Sequence, residues 1–164
     1  MIESIKNLAR ALPLSVLIIF SSCQSIDLYE KTVDIPGHSW KSSFNPSFSF
    51  TIKDTSAAYQ IYLTLRHDDK YSYNNIYVNV NTLQPGDDST YTIRQDLRLA
   101  NDEKGWSYTG IGMDDIWDHS LALTPTNRLF HFRKSGTYTF TIEQLLRQDP
   151  LEHVYNVGLR LIKK

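Results

Sequence analysis

The sequence predicts an all-β protein, an antiparallel β-sandwich of jelly-roll or immunoglobulin-like type, preceded by a cleaved signal peptide. Three observations carry this. From residue 44 onward apolar and polar residues alternate repeatedly with a period of two, as in strands buried on one face. The alternating runs are short and are separated by clusters of Asp, Asn, Ser, Gly and Pro that favour turns. Helical periodicity is scarce, and short strands spaced in this way suggest a sandwich or barrel.

The first element is a targeting segment. Lys6 and Arg10 precede Leu12 to Phe20, a run that is apolar except for Ser15 and too short to cross a hydrocarbon core of about 30 Å as a helix. Ser21-Ser22-Cys23 follows directly and resembles the bacterial lipobox. There, small residues precede a cysteine that is diacylated, freed by the lipoprotein signal peptidase and usually acylated again. Phe20 departs from the usual aliphatic residue at the first lipobox position. An ordinary signal peptide or a short membrane anchor is the blander reading, but charge, apolar run, small pair and cysteine stand in register for lipidation. The expected organisation is a signal peptide at 1–22, a lipidated tether at 23–28 and a single sandwich domain at 29–164.

Acyl-chain arithmetic gives that cysteine its consequence. Each buried CH₂ is worth about 0.8 kcal/mol, so one chain holds a protein marginally while two or three hold it durably. The expected partner is therefore a membrane, bound through acyl chains on Cys23. Gln24-Ser25 lack the Asp that retains lipoproteins in some inner membranes, which leaves the leaflet open.

Along the body, Tyr29 to Ile35 reads as a first strand before Pro36-Gly37. Phe48, Phe50 and Ile52 alternate with Ser47, Ser49 and Thr51, and Tyr59, Ile61, Leu63 and Leu65 alternate with Gln60, Tyr62, Thr64 and Arg66. Ile76, Val78 and Val80 follow, then Tyr91 and Ile93 within 89–99, then Tyr138, Phe140 and Ile142 against Thr137, Thr139 and Thr141. Val157, Leu159 and Leu161 close the pattern. Asp114 to Leu121 and Glu143 to Gln148 are expected to form short helices, the second stopped by Pro150.

Composition narrows the function. With 41% hydrophobic residues and a net charge of −1 the chain is too apolar for disorder and lacks the positive excess of a nucleic-acid binder. A single cysteine makes neither an internal disulfide nor a Cys-rich zinc site. Asp114, Asp115, Asp118 and His119 form the densest ionisable cluster, but neighbours in sequence do not by themselves make an acid-base pair. His67-Asp68-Asp69 and Asp87-Asp88 read as solvated turns rather than calcium loops. The five histidines show no zinc-binding spacing, and no nucleophile elbow, phosphate loop or dinucleotide fingerprint is present. The expectation is a protein without catalytic residues, metal or cofactor. Tyr62 and Tyr77 on polar strand phases, with Tyr71, Tyr73 and Trp106 in turns, suggest a sugar platform, a protein interface or lids over the core.

Several phrases together resemble the gliding-motility lipoprotein GldH family of Bacteroidetes. They are Cys23 followed by Tyr29-Glu30-Lys31, then Trp40, then Arg66 with 71–77 (YSYNNIY), then Gly105-Trp106, Gly110-Ile111-Gly112 and Asp115-Ile116. The run 135–144 (SGTYTFTIEQ), with Arg147, Leu151, Val154 and 157–160 (VGLR), is the strongest part; Leu146 stands where the family often has Met. The resemblance implies a lipoprotein of the surface-gliding machinery, linked to type IX secretion, with other envelope or gliding proteins as partners and no catalytic residues to carry over. Arg66, Tyr71, Tyr73, Asn75, Trp106, Asp115, Glu143 and Arg147 are the expected interaction surface.

The physical reading of these residues runs beside the resemblance. Arg66, Tyr71, Tyr73 and Asn75 bracket one turn, Gly110 and Gly112 suggest close backbone approach or a bulge, and Glu143 and Arg147 would pair at i and i+4 on a helix. The expected function is that of a non-catalytic, lipid-anchored envelope protein of the gliding machinery. The second reading is a carbohydrate-binding surface lipoprotein, and a third is a hydrolase built on the Asp114, Asp115 and Asp118 region.

Overall fold

A computed structural model describes residues 28–125 and 128–164. The signal segment, the lipobox and Cys23 lie outside the described residues. In chain order the strands are β1 (Leu28–Asp34), β2 (Ser39–Trp40), β3 (Ser47–Ile52), β4 (Ala58–Asp68), β5 (Asn75–Leu83) and β6 (Thr90–Arg98). They continue with β7 (Gly110–Met113), β8 (Ile116–Ala122), β9 (Phe130–His131), β10 (Gly136–Gln144), β11 (Leu151–Glu152) and β12 (Val154–Lys163).

The larger sheet has the order β1-β12-β4-β8-β7, with β9 paired to the start of β4; the smaller has the order β3-β10-β5-β6, and β2 pairs with β11. Every pairing is antiparallel. Four of these pairs nest in sequence: β5–β6 innermost, then β4–β8, β3–β10 and β1–β12. The chain is therefore one long hairpin rolled up so that successive pairs fall in alternate sheets, and the β12–β4 and β10–β5 pairings close the roll. That winding is a jelly roll, which decides between the two sandwich types the sequence allows.

The period-two pattern explains the core. Phe48, Phe50 and Ile52 of β3 join Tyr138, Phe140 and Ile142 of β10 and Ile76, Val78 and Val80 of β5. These face Tyr59, Ile61, Leu63 and Leu65 of β4 and Val157, Leu159 and Leu161 of β12. Phe50 sits at the centre, with ring centroids of Tyr29, Phe132 and Phe140 at 5.3, 5.6 and 5.4 Å. On the outer face of the smaller sheet the opposite phase forms a hydroxyl ladder, Ser47–Thr141, Ser49–Thr139 and Thr51–Thr137.

Two expectations are corrected. The segment Asp114 to Leu121 is not helical: Asp114 takes φ 54° in the tight turn joining β7 to β8, and residues 116–122 pair along β4. Glu143 to Gln148 is not helical either, because β10 runs between β3 and β5 and its ladder continues to Gln144 opposite Val78. In both places long-range pairing overrides local helix preference. A third difference is subtler. Tyr91 and Ile93 lie on the inward phase of β6, opposite Thr82 and Val80, yet are 62% and 42% exposed. The phase is as expected, but β6 is an edge strand and the larger sheet offers only the two-residue β9 at that level.

Candidate functional site

Strand β4 defines an axis roughly 33 Å long, from Ala58 to Asp68. The site predicted from sequence assembles at the Asp68 end. His67 continues the inward phase of Leu63 and Leu65 and is fully buried, and His119 of β8 continues the phase of Leu121 and is 2% exposed. Their rings stack 4.9 Å apart at 11°, with Nε2 2.9 Å from Nε2. Trp106 packs edge-on against His67 at 4.7 Å, and Tyr71 lies 4.8 Å from it.

The hydrogen bonds through this pair form a chain. His67 Nδ1 lies 2.6 Å from the Asp68 carbonyl, His119 Nδ1 lies 2.8 Å from Thr109 Oγ1, and Thr109 Oγ1 lies 2.8 Å from the Leu99 carbonyl. With both rings neutral, three protons serve four contacts. In the arrangement that loses least, the His67 Nδ1–H donates to Asp68, the His119 Nε2–H donates to His67, and the Thr109 hydroxyl is shared between His119 and Leu99. A further proton would complete the chain, but burial opposes it. Desolvation lowers the His67 pKa, and desolvation followed by repulsion from His67 brings His119 down to about 4. The pair is neutral at pH 7 and acts as a clasp between β4, β8 and the loop from Leu99 to Thr109.

Polar contacts secure the surroundings. Burial is the largest single influence on the Asp68 carboxyl and raises its pKa, but the contacts with His153, the Lys70 N–H and Tyr155 together hold it below its ordinary value. Gly110 lies across from His119 in the ladder, where a Cβ would come within 2.6 Å of the imidazole Cε1; at Gly112 a Cβ would come within 2.7 Å of the Trp117 ring. The close approach read from these glycines is present, and rings occupy the space. The adjoining strand β7 is the last in its sheet, with Ile111 82% and Met113 78% exposed.

Of the eight predicted residues, seven lie at this end. Arg66 is exposed and grips Asp118 with two bonds of 2.6 and 2.8 Å. Tyr71 is buried and donates to the Asn75 carbonyl, closing the turn, while Tyr73 donates to Gln148 and Asn75 donates across to Asp96 of β6. Trp106 caps the histidines. Asp115 is exposed, and its carbonyl accepts the Asp69 N–H. Arg147 is exposed beyond the end of β10. Glu143 stands apart on the outer face of the smaller sheet, where Asn79 donates to it, so the expected Glu143–Arg147 helical pair does not form.

Sequence reasoning missed the histidine clasp, although both rings stand in the core phase of their strands. The acidic cluster does not converge on one point: Asp114 and Asp115 occupy the β7–β8 turn, Asp118 holds Arg66, and His119 faces the opposite side of β8. Among the described residues no group of three or more His, Cys, Asp or Glu is placed to hold a metal. Outside the clasp, a polar groove of about 520 Å³ crosses the outer face of the larger sheet, with Thr64, Arg66, Asp118, Glu30 and Arg160 in its walls and no tyrosine or tryptophan.

The other end of the axis differs in charge and in packing. Leu28, Tyr91, Ile93, Leu129 and Phe130 are exposed there, and an apolar cleft of about 730 Å³ opens between β6 and β9. Lys53, Arg128, Arg133, Lys134, Lys163 and Lys164 at this end outnumber Asp54, Asp87 and Asp88, whereas the clasp end sets Asp68, Asp69, Asp102, Glu103, Asp114, Asp115 and Asp118 against Arg66, Lys70, Arg98, Lys104 and Arg147. Among the described residues no helix is long and apolar enough to cross a membrane.

A family model described as GldH lipoprotein matches residues 27–161 of this chain. A protein from Christiangramia forsetii named gliding motility lipoprotein GldH homolog is 26% identical over 155 residues, which cover 90% of each of the two chains.

Proposed function

The chain belongs to the GldH lipoprotein family, and on that premise we propose that it is a non-catalytic, lipid-anchored component of the gliding machinery in the cell envelope, working with type IX secretion. Its anchor is acylated Cys23. Its partner-contact surface is the clasp end, and the observation that carries this is the open edge of β7.

An edge strand presents unpaired backbone N–H and C=O groups, and proteins that must stay apart blunt such edges with charge, proline or bulges. Gly110-Ile111-Gly112-Met113 has none of these devices and shows two exposed apolar side chains. The clasp backs it, with the buried His119 imidazole packed across Gly110, which restrains the strand and lowers the entropy cost of adding an extended segment of a partner. The acidic rim of Asp102, Glu103, Asp114 and Asp115 favours a partner segment flanked by basic residues. Dispersal of the acidic cluster supports a role without catalysis.

The test is a photo-crosslinking residue at position 111 of the full chain, expressed in its own cells and analysed in membranes. Crosslinks to envelope proteins of the gliding or secretion apparatus are expected, and Met113→Asp should abolish them together with colony spreading and secretion. Retention on glycans with no protein crosslink at position 111 would sink this reading in favour of sugar binding.

A further inference from the structure

Four residues lie between Cys23 and Leu28, and the five Cα–Cα steps this makes reach at most about 17 Å when fully extended. Leu28 pairs with Ile162, which in turn lies opposite Gln60 near the start of β4, so β1 starts at the end of the sandwich where the apolar cleft opens. An acylated Cys23 thus keeps that end closest to the bilayer. Among the described residues, five of the eight exposed large apolar side chains cluster there, which is the pattern of an interaction site rather than of scattered surface residues.

The cleft itself has the size and lining of a ligand site. Its volume of about 730 Å³ lies within the range of about 300–1,000 Å³ usual for small-molecule pockets. Ile61, Leu123, Phe132 and Phe140 line its walls, and Tyr91 and Ile93 its mouth. Among the described residues at this end basic groups outnumber acidic ones, six to three, even with Lys134 paired to Asp87 and Lys163 to Asp54, as suits an anionic lipid surface.

We propose that this end rests on the bilayer and that the cleft takes up one acyl chain of an anionic phospholipid. The inference rests on the Cys23 anchorage proposed above and extends it from a tether to an oriented body. A second hydrophobic hold near the tether limits swinging about 23–28 and directs β7 away from the membrane toward its partner.

The native tryptophans make the test clean. Trp40, Trp106 and Trp117 all lie at the clasp end, so Tyr91→Trp adds a single reporter at the cleft mouth. Full-length acylated protein is reconstituted into phosphatidylcholine–phosphatidylglycerol vesicles whose phosphatidylglycerol is brominated mid-chain. The Tyr91→Trp protein should lose most of its added emission, the Ile111→Trp protein should lose none, and quenching should fall several-fold in vesicles of brominated phosphatidylcholine alone. A mid-chain diazirine phospholipid should label cleft peptides of the wild type and fail to label the Ile93→Asp protein, whose fold is verified by circular dichroism.

Flotation of the wild type against Cys23→Ala reports anchorage separately. Wild-type protein that floats but shows no quenching at position 91, label confined to 23–28, or equal quenching in both lipids overturns the inference while leaving the anchor standing. Capture of a protein segment in the cleft in place of lipid also overturns it. If flotation does not depend on Cys23, the anchorage reading fails and takes the inference with it.

Discussion

At the Asp68 end of β4 the inward phase ends in His67, enclosed by Tyr71, Trp106 and His119. Near the other end, the inward phase of the facing sheet ends in Tyr91 and Ile93, which stand open to solvent. The same alternation thus buries polar rings at one end and exposes apolar side chains at the other. What differs is cover. The loop from Leu99 to Thr109 folds over the histidines and is bonded to them through Thr109, whereas β9 is too short to close over β6. Inward phase states which way a side chain points; only the cover laid over it, strand or loop, decides whether it is dry.

The sharpest way to break this contrast is to empty the clasp. His119→Ala should cost about 3–4 kcal/mol, through a cavity and the loss of the hydrogen bond to His67 Nε2, while Ile93→Ala at the open end should cost under about 1 kcal/mol. Urea denaturation of the two proteins measures the difference, and equal costs would show that the two ends are packed alike.

Acid provides the next test. His119 binds its proton at about pH 4 in the fold but at its ordinary 6.5 once the chain unfolds. Between those values the unfolded state holds more protons, so stability should fall as pH drops from about 6.5 to 4, by on the order of 2–3 kcal/mol. Thermal unfolding across this range should show the loss in the wild type and a flatter profile in His119→Asn.

Smaller effects sharpen the picture. Gly110→Ala should cost about 1–3 kcal/mol, because the new methyl meets a buried imidazole that has no room to retreat. Gly112→Ala should cost less, since half-buried Trp117 can move aside; chemical denaturation of the pair ranks them. Smallest of all, Arg66→Ala removes an exposed bidentate pair and should cost no more than about 1 kcal/mol, declining further as salt is raised in the same assay.

These contrasts also show what the sequence could and could not reveal. The inward residues of β3, β4, β5, β10 and β12 were legible because each strand is buried on one face and its phase needs no partner. His67 and His119 stand in phase with Leu65 and Leu121, but a histidine in core phase reads equally as a ligand or an acid-base group until the facing ring is known. Asp114 and Glu143 suggested helices because carboxylates suit helix starts and turns alike, and pairing with β4 and β5 settled the matter. Arg66 was legible as special, but its partner Asp118 lies 52 residues away and is joined only by the β4–β8 ladder. Jelly roll against immunoglobulin winding depends wholly on which strands meet, which no local pattern records.

The nested winding has a mechanical side. The first described strand and the last are neighbours, with all seven residues of β1 paired to β12 along the strand axis, and in the anchored protein proposed above the tether joins β1 at Leu28. A pull on the tether, resisted at the opposite end, is directed along that axis. It loads the whole β1–β12 ladder in shear, so its hydrogen bonds share the force together and do not unzip one at a time. An attachment built this way suits a protein that must hold against sustained traction.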